Sequence, residues 1–199
     1  EMSASLVGSE MCIRDRWVTP SRDLISAFKQ EGDEVRFKES IVYYDCNWSN
    51  YYPSDNYPFM YKCRSANSSI IKYRYADVLL LKAEALIMQD TPDLEGAADI
   101  IDKVRDRAKL GALPTSVRSN KNAMLNALLK ERRLELAFEG QRWFDLVRLD
   151  KVEEVMNAVY AKDSGRKAQI YTFDKNSYRL PIPQSVIDAN DKIHQNPGY

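Results

Sequence analysis

The sequence predicts a mainly α fold of tetratricopeptide-like helix pairs, with minor short β-strands and long irregular loops. Three observations carry this expectation. Apolar residues recur at helical spacing from Tyr75 to Ile87, from Leu94 to Ala108 and again through 120–149. Asp90-Thr91-Pro92-Asp93 separates the first two runs by a short break, as in an αα-hairpin. Residues with β preference occur only in brief clusters.

Taken in order, residues 1–16 look foreign to the rest. The string SLVGSEMCIRDR resembles translated sequencing-adapter sequence, so 1–16 is expected to be a non-native, disordered leader, and 17–199 the native-looking domain. Thr19 and Pro20 read as N-cap and first residue of a helix whose apolar face is Leu24, Ile25 and Phe28 and which Gly32 ends. Residues 34–44 (EVRFKESIVYY) suggest a short strand, and 45–69 a long irregular loop rich in aromatics, Asn and Pro.

Tyr75, Ala76, Leu79, Leu80, Ala83, Leu86 and Ile87 cover a wide face, which predicts a helix packed on more than one side. Thr91 as N-cap and Pro92 as first residue restart the chain in a second helix, with Leu94, Ala97, Ala98, Ile101, Val104 and Ala108 on one stripe. One such pair cannot bury its own face and needs neighbours. A further helix starts near Asn120, Gly140 interrupts it, and the apolar pattern resumes at Trp143. A short helix is expected around 151–159, two short strands at 171–173 and 178–183 around a DKNS turn, and a brief helix at 184–189.

Composition narrows the function. The 199 residues are 44% hydrophobic, enough for a real core, and 29 basic residues balance 29 acidic ones. That balance provides no electrostatic footprint for nucleic acid and no basic tract for a membrane surface. No apolar run approaches the roughly 18 residues of a bilayer span, and the N-terminus lacks the pattern of a signal peptide. Cys12, Cys46 and Cys63 fit no metal-binding spacing; Cys46 and Cys63 could be bridged in an oxidising compartment, with isolated thiols the simpler reading. Dinucleotide, phosphate-loop, zinc-protease and serine-hydrolase motifs are missing, and the single histidine, His194, has no partner in sequence. The expectation is a protein that is not an enzyme, with no cofactor, no metal and no catalytic residue.

The segment ERRLELAFEGQRWFDLVRL (131–149) sets charged residues among leucines that recur at helical spacing. Glu131, Glu135 and Glu139 fall at i, i+4 and i+8, and like charges at that spacing destabilise an isolated helix. The ridge therefore requires cations: Arg132 and Arg142 nearby, and Arg74, Arg105 and Arg107 from the preceding helices. Paired catalytic carboxylates are the alternative, but those project from clefts rather than from leucine-rich helices. Structural ion pairs of Glu131 and Glu135 with Arg74, Arg105 and Arg107 are the expectation.

YRYADVLLLKAEAL (73–86), AADIIDKVRDRAKL (97–110), LLKERRLELAFEGQRWFDLVRL (128–149), LPIP (180–183) and QNPGY (195–199) resemble, in that order, the C-terminal part of the SusD/RagB family. The likeness covers roughly 70–199 and extends more loosely to 17–69. It implies a surface-exposed lipoprotein of the outer membrane that captures oligosaccharides, or in some members peptides, beside a SusC-like TonB-dependent transporter. The lipidation cysteine and the N-terminal helical repeats of the family are not in this sequence, so the expectation is a truncated C-terminal fragment whose lipid anchor lies elsewhere. The other reading is a generic tetratricopeptide-like scaffold for protein interaction. Sugars present apolar faces and hydroxyls, which suit aromatic platforms beside amides and carboxylates. Trp48, Tyr51, Tyr52 and Tyr57, interleaved with Asn47, Asn50, Asp55 and Asn56, are the candidate ligand-binding residues; the competing reading is that they pin the loop to the domain.

Overall fold

The computed structural model describes residues 19–62, 71–162 and 173–199, so the expectation for 1–16 lies outside the described residues. The chain forms two compact units, one up to Arg142 and one from Trp143 to Tyr199.

The first unit opens with α1 (Arg22–Glu31). Its N-cap is Ser21, whose Oγ accepts from the Leu24 backbone N–H at 3.1 Å, and not Thr19. Pro20 lies outside the helix, and Gly32, at φ 69°, closes it in the left-handed conformation. The strand expected over 34–44 is only half there. Residues Glu34–Ser40 form α2, because Asp33 caps it and accepts from the Arg36 N–H at 3.1 Å. Extended backbone begins at Ile41, and β1 (Ile41–Tyr44) pairs antiparallel with β2 (Tyr57–Met60), in the register Ile41↔Met60 to Tyr44↔Tyr57. The irregular loop expected at 45–69 is thus shorter at its start: 45–56 connects a hairpin, and Pro58 sits on an edge strand, where its missing N–H costs no ladder bond.

Next come α3 (Tyr75–Met88) and α4 (Leu94–Arg107), the expected helix pair. Its second N-cap is Asp93, accepting from Gly96 N–H at 2.9 Å, rather than Thr91. A short α5 (Thr115–Arg118) leads to α6 (Lys121–Glu135), capped by Asn120. Leu80, Ala83 and Ile87 of α3 interlock with Ala97, Ala98, Ile101 and Val104 of α4 and with Met124 and Leu128 of α6. The alanines let the helix backbones approach, and each fully buried Leu or Ile contributes about 1.5–3 kcal/mol. A second cluster joins Ile25 and Phe28 of α1, Ile41 of β1, and Leu134 and Ala137. The helix expected to run to Gly140 ends earlier, at Glu135. Phe138 and Gly140 both take positive φ, 66° and 78°, so 136–140 is a tight turn that carries Glu139.

The second unit contains α7 (Arg142–Arg148, which starts one residue before it), α8 (Val152–Lys162), a 3-10 turn (Lys175–Tyr178) and α9 (Gln184–Asp188). Trp143, Phe173 and Tyr178 form a ring cluster with centroids 5.8–6.2 Å apart. The two expected strands do not form among the described residues: 171 and 172 lie outside them, and 175–178 is the 3-10 turn. The LPIP stretch is extended but pairs with a side chain. Gln195 Oε1 accepts from Ile182 N–H at 2.8 Å and its Nε2 donates to Ile182 O at 2.9 Å.

Candidate functional site: an aromatic hairpin loop beside a buried charge lattice

Glu131 and Glu135 stand on the inner side of α6, each 2% exposed. Arg36 reaches them from α2, with Nη1 2.6 Å from Glu131 Oε1 and 3.0 Å from Glu135 Oε2, while its Nε lies 2.5 Å from Asp33 Oδ2. Arg105 Nη1 spans Glu131 at 3.3 Å and Glu31 at 2.9 Å. Arg74 brackets the turn, with Nη1 2.6 Å from Glu135 Oε1 and Nε 2.7 Å from Glu139 Oε2. Arg107 also pairs with Glu135, and Lys62 with Glu139. Of the two nearby arginines, Arg132 turns the other way: its Nη1 lies 2.9 Å from Asp77 Oδ1, close enough for charge contact but without hydrogen-bond alignment. Arg142 Nη1 donates to Leu129 O at 3.1 Å.

Titration follows this wiring. Burial pushes the Glu131 carboxyl above its ordinary range, and Arg36 and Arg105 do not fully offset it. Burial also raises Glu135, but hydrogen bonds from Arg74 and Arg36 and the charge of Arg107 outweigh it and leave this carboxyl below its ordinary value. Arg36 is held above its ordinary value: burial pulls it down, yet Glu131 and Asp33 pull harder. A hollow of about 390 Å³ beside the lattice is lined by Arg36, Arg74, Arg107, Glu135 and Glu139, whose charges are already spent on one another. Among the described residues, no group of three or more His, Cys, Asp and Glu is placed to hold a metal ion.

The hairpin loop is different. It forms the wall of an open basin of about 960 Å³, lined by Arg22 and residues 46–54. Trp48 is 43% exposed and rests on Tyr57 and Phe59, with ring centroids 5.7 and 6.3 Å away. Tyr51 and Tyr52 are half-buried and meet edge to face at 4.9 Å. The Arg22 guanidinium lies over both rings, 4.2 and 5.1 Å from their centroids. Tyr52 donates from its hydroxyl to Pro20 O at 2.9 Å, and burial pushes that hydroxyl well above its ordinary titration range.

Tyr57 does not join this surface. It is 2% exposed, with its hydroxyl 3.0 Å from Ser49 Oγ and 3.3 Å from Thr19 Oγ1, so it supports the Trp48 ring from beneath. It belongs to β2, where Tyr57, Pro58 and Phe59 are all buried, a placement that loop composition could not reveal. Cys46 is a buried free thiol; Cys63 lies outside the described residues. Arg22 and Arg36 are among the residues that sequence reasoning missed, as are Asp33 and Lys62 of the charge lattice. Arg36 sat in a presumed strand, and nothing in the spacing of Arg22 pointed to a loop 29 residues away.

Comparison with known proteins gives one consistent answer. The model of the SusD family matches residues 52–199. "SusD-like protein P2" of Formosa agariphila is 35% identical over 143 residues, covering 68% of this chain and 27% of that protein. "SusD-like protein P38" of the same organism is 42% identical over 99 residues, 47% of this chain and 19% of that one. Among solved structures, a SusD superfamily protein from Bacteroides vulgatus superposes with a TM-score of 0.68 at 22% identity, over 98% of this chain and 46% of that chain. Another, from Bacteroides thetaiotaomicron, gives 0.62 at 27% identity, over 89% and 38%. The chain therefore spans well under half the length of these curated relatives.

Proposed function

The chain belongs to the SusD family, and from that premise we propose that it is part of a longer glycan-binding protein at the outer-membrane surface, which holds oligosaccharide for a SusC-like TonB-dependent transporter. In the longer protein a lipid anchor would supply the membrane attachment. Its own contribution to the ligand site is the hairpin loop: Trp48 as the platform, with Tyr51 and Tyr52 beside it.

One observation carries the assignment of the site. Trp48 is an exposed indole on the wall of an open basin, seated on two rings that fix its orientation. A pre-oriented ring offers apolar contact to a sugar C–H face with little rotamer entropy left to lose. Arg22 and the Asn47 and Asn50 positions add donors at the rim for hydroxyls. The cation over Tyr51 and Tyr52 also keeps those two rings in place.

The test is calorimetric titration of the full-length protein with oligosaccharides. Trp48→Ala is expected to weaken glycan binding about tenfold, the order that loss of one ring contact carries, while the melting temperature stays close to the parent's. Unchanged affinity would leave the loop as covering only. Binding of peptides but not glycans would redirect the substrate class.

A further inference from the structure

We infer that the hydroxyls of Tyr52 and Tyr57 are positioning groups for the Trp48 platform, fastening its loop to residues 19–22, the segment that leads into α1. The inference rests on reading Trp48 as the ligand platform. It gives two of the candidate ligand residues a different task, since their hydroxyls are committed inside the protein.

The need for ties comes from the loop itself. Residues 45–56 connect β1 to β2 without regular structure. The backbone closes on itself from Cys46 N–H to Ser54 O at 2.6 Å and from Asn56 N–H to Pro53 O at 3.2 Å. Trp48 to Tyr52 lie inside the first of these closures. A stretch of this kind is ordered by its own side chains, or it pays for ordering when a ligand binds.

Two hydroxyls and one cation supply the ties. The Tyr57 hydroxyl sits 3.0 Å from Ser49 Oγ and 3.3 Å from Thr19 Oγ1. A phenol both donates and accepts, so it serves the two together and joins them in one chain. Ser49 follows Trp48 directly, and its Oγ also accepts from the Tyr51 N–H at 3.4 Å. Tyr52 donates to Pro20 O at 2.9 Å, and Arg22 donates to Tyr51 O. Ser49, Tyr51 and Tyr52 are thereby held on Thr19, Pro20 and Arg22.

Packing alone does not account for these hydroxyls. Tyr57 is 2% exposed beside Phe59, itself 1% exposed, so phenylalanine would fill the same space with no polar atom to bury. A buried hydroxyl is tolerated when it is bonded, and here the bond reaches the residue next to the platform. Tyr57 and Phe59 set the indole from beneath, with centroids 5.7 and 6.3 Å away, while Ser49 fixes the backbone that carries it. With both set before a sugar arrives, less freedom is lost on binding. Without the hydroxyls the ring stack remains, but the loop backbone shifts and the indole samples several orientations.

Fluorine NMR of the full-length protein labelled with 5-fluorotryptophan tests this with no ligand present. The Trp48 signal is identified by its loss in Trp48→Phe, and Trp143, in the second unit, is the internal reference. Wild-type protein is expected to give one sharp Trp48 signal. In the double variant Tyr52→Phe, Tyr57→Phe that signal is expected to split or to broaden until lost, while the Trp143 signal and the melting temperature stay as in the parent. Tyr52→Phe and Thr19→Val as single variants alter neither ring beneath the indole, and each should broaden the signal in part. A Trp48 signal as sharp in the double variant as in the wild type would overturn the inference. So would a lowered melting temperature with that signal unchanged, which would make the hydroxyls structural only. A Trp48→Ala protein that keeps its glycan affinity removes the proposed function and leaves the ties standing, so the two readings fail separately.

Discussion

Arg36 touches three carboxylates at once: Asp33 at the cap of its own helix, and Glu131 and Glu135 across the core. Its side chain is 10% exposed, so water does little of the work. Removing one partner from a buried charge group is costly because the others stay buried without compensation, on the order of 3–5 kcal/mol. Arg36→Met is therefore expected to lower stability by that much in chemical denaturation. Lys38→Met, which breaks an exposed pair with Glu34, should leave the transition where it was. The double variant Arg36→Met, Glu131→Gln should recover part of the loss, since Glu131 is the carboxyl that burial already pushes toward its neutral form. If Arg36→Met costs no more than Lys38→Met, the lattice does not hold α2 to α6. Helical spacing alone made the glutamate ridge visible, and Arg74, Arg105 and Arg107 lay on the neighbouring helices. Arg36 was hidden because β-branched and aromatic residues around it suggested a strand, while the Asp33 cap decided for a helix.

At the scale of elements, the long helices were legible because their apolar period is sustained over three or four turns, and their caps were less so. Ser21 and Asp93 each took the capping position two residues beyond the one expected, since several polar residues compete there and only backbone geometry chooses. The C-terminal stretch was misread for a clearer reason. LPIP has the composition of a strand, but Pro181 and Pro183 cannot donate to a ladder. The backbone of Ile182 is instead satisfied by the amide of Gln195, which acts as a one-residue strand, while Asn196 Nδ2 donates to Leu180 O at 2.7 Å. This ties LPIP to QNPGY by side-chain hydrogen bonds alone. Gln195→Leu keeps the bulk and removes both bonds. It is expected to speed amide exchange at Ile182 and the flanking non-proline residues by about tenfold, the equivalent of one net hydrogen bond, with α3 and α4 unaffected. Unchanged exchange at Ile182 would mean that the Gln195 bonds do not order the segment.

For the molecule as a whole, the two compact units are unequally built. Most of the buried apolar side chains up to Ala137 fall into three clusters, one joining α3, α4 and α6, one joining α1, β1 and residues 134–137, and one in the β-hairpin. From Trp143 onward only Leu146 and Val152 reach that degree of burial among the described residues. The described residues of this unit thus bury less apolar surface than those of the first, so it is expected to be the less stable of the two, because burial has less to set against conformational entropy. Calorimetry of the protein is therefore expected to give two transitions, the lower one belonging to the unit from Trp143. Val152 is fully buried, and Val152→Ala should remove about 2 kcal/mol from that unit and move the lower transition alone. Leu128→Ala, in the larger core, should move the upper one. Hydrogen exchange assigns the transitions independently, since amides of α8 should exchange before those of α3 and α6. A single transition whose calorimetric and van't Hoff enthalpies agree, shifted equally by both variants, would mean that the two units unfold as one. Gly140 marked an interruption in the sequence, but the apolar pattern that resumes at Trp143 did not show that the chain passes there from one compact unit to the next. The boundary at Arg142 and Trp143 becomes visible only when the density of packing on its two sides is compared.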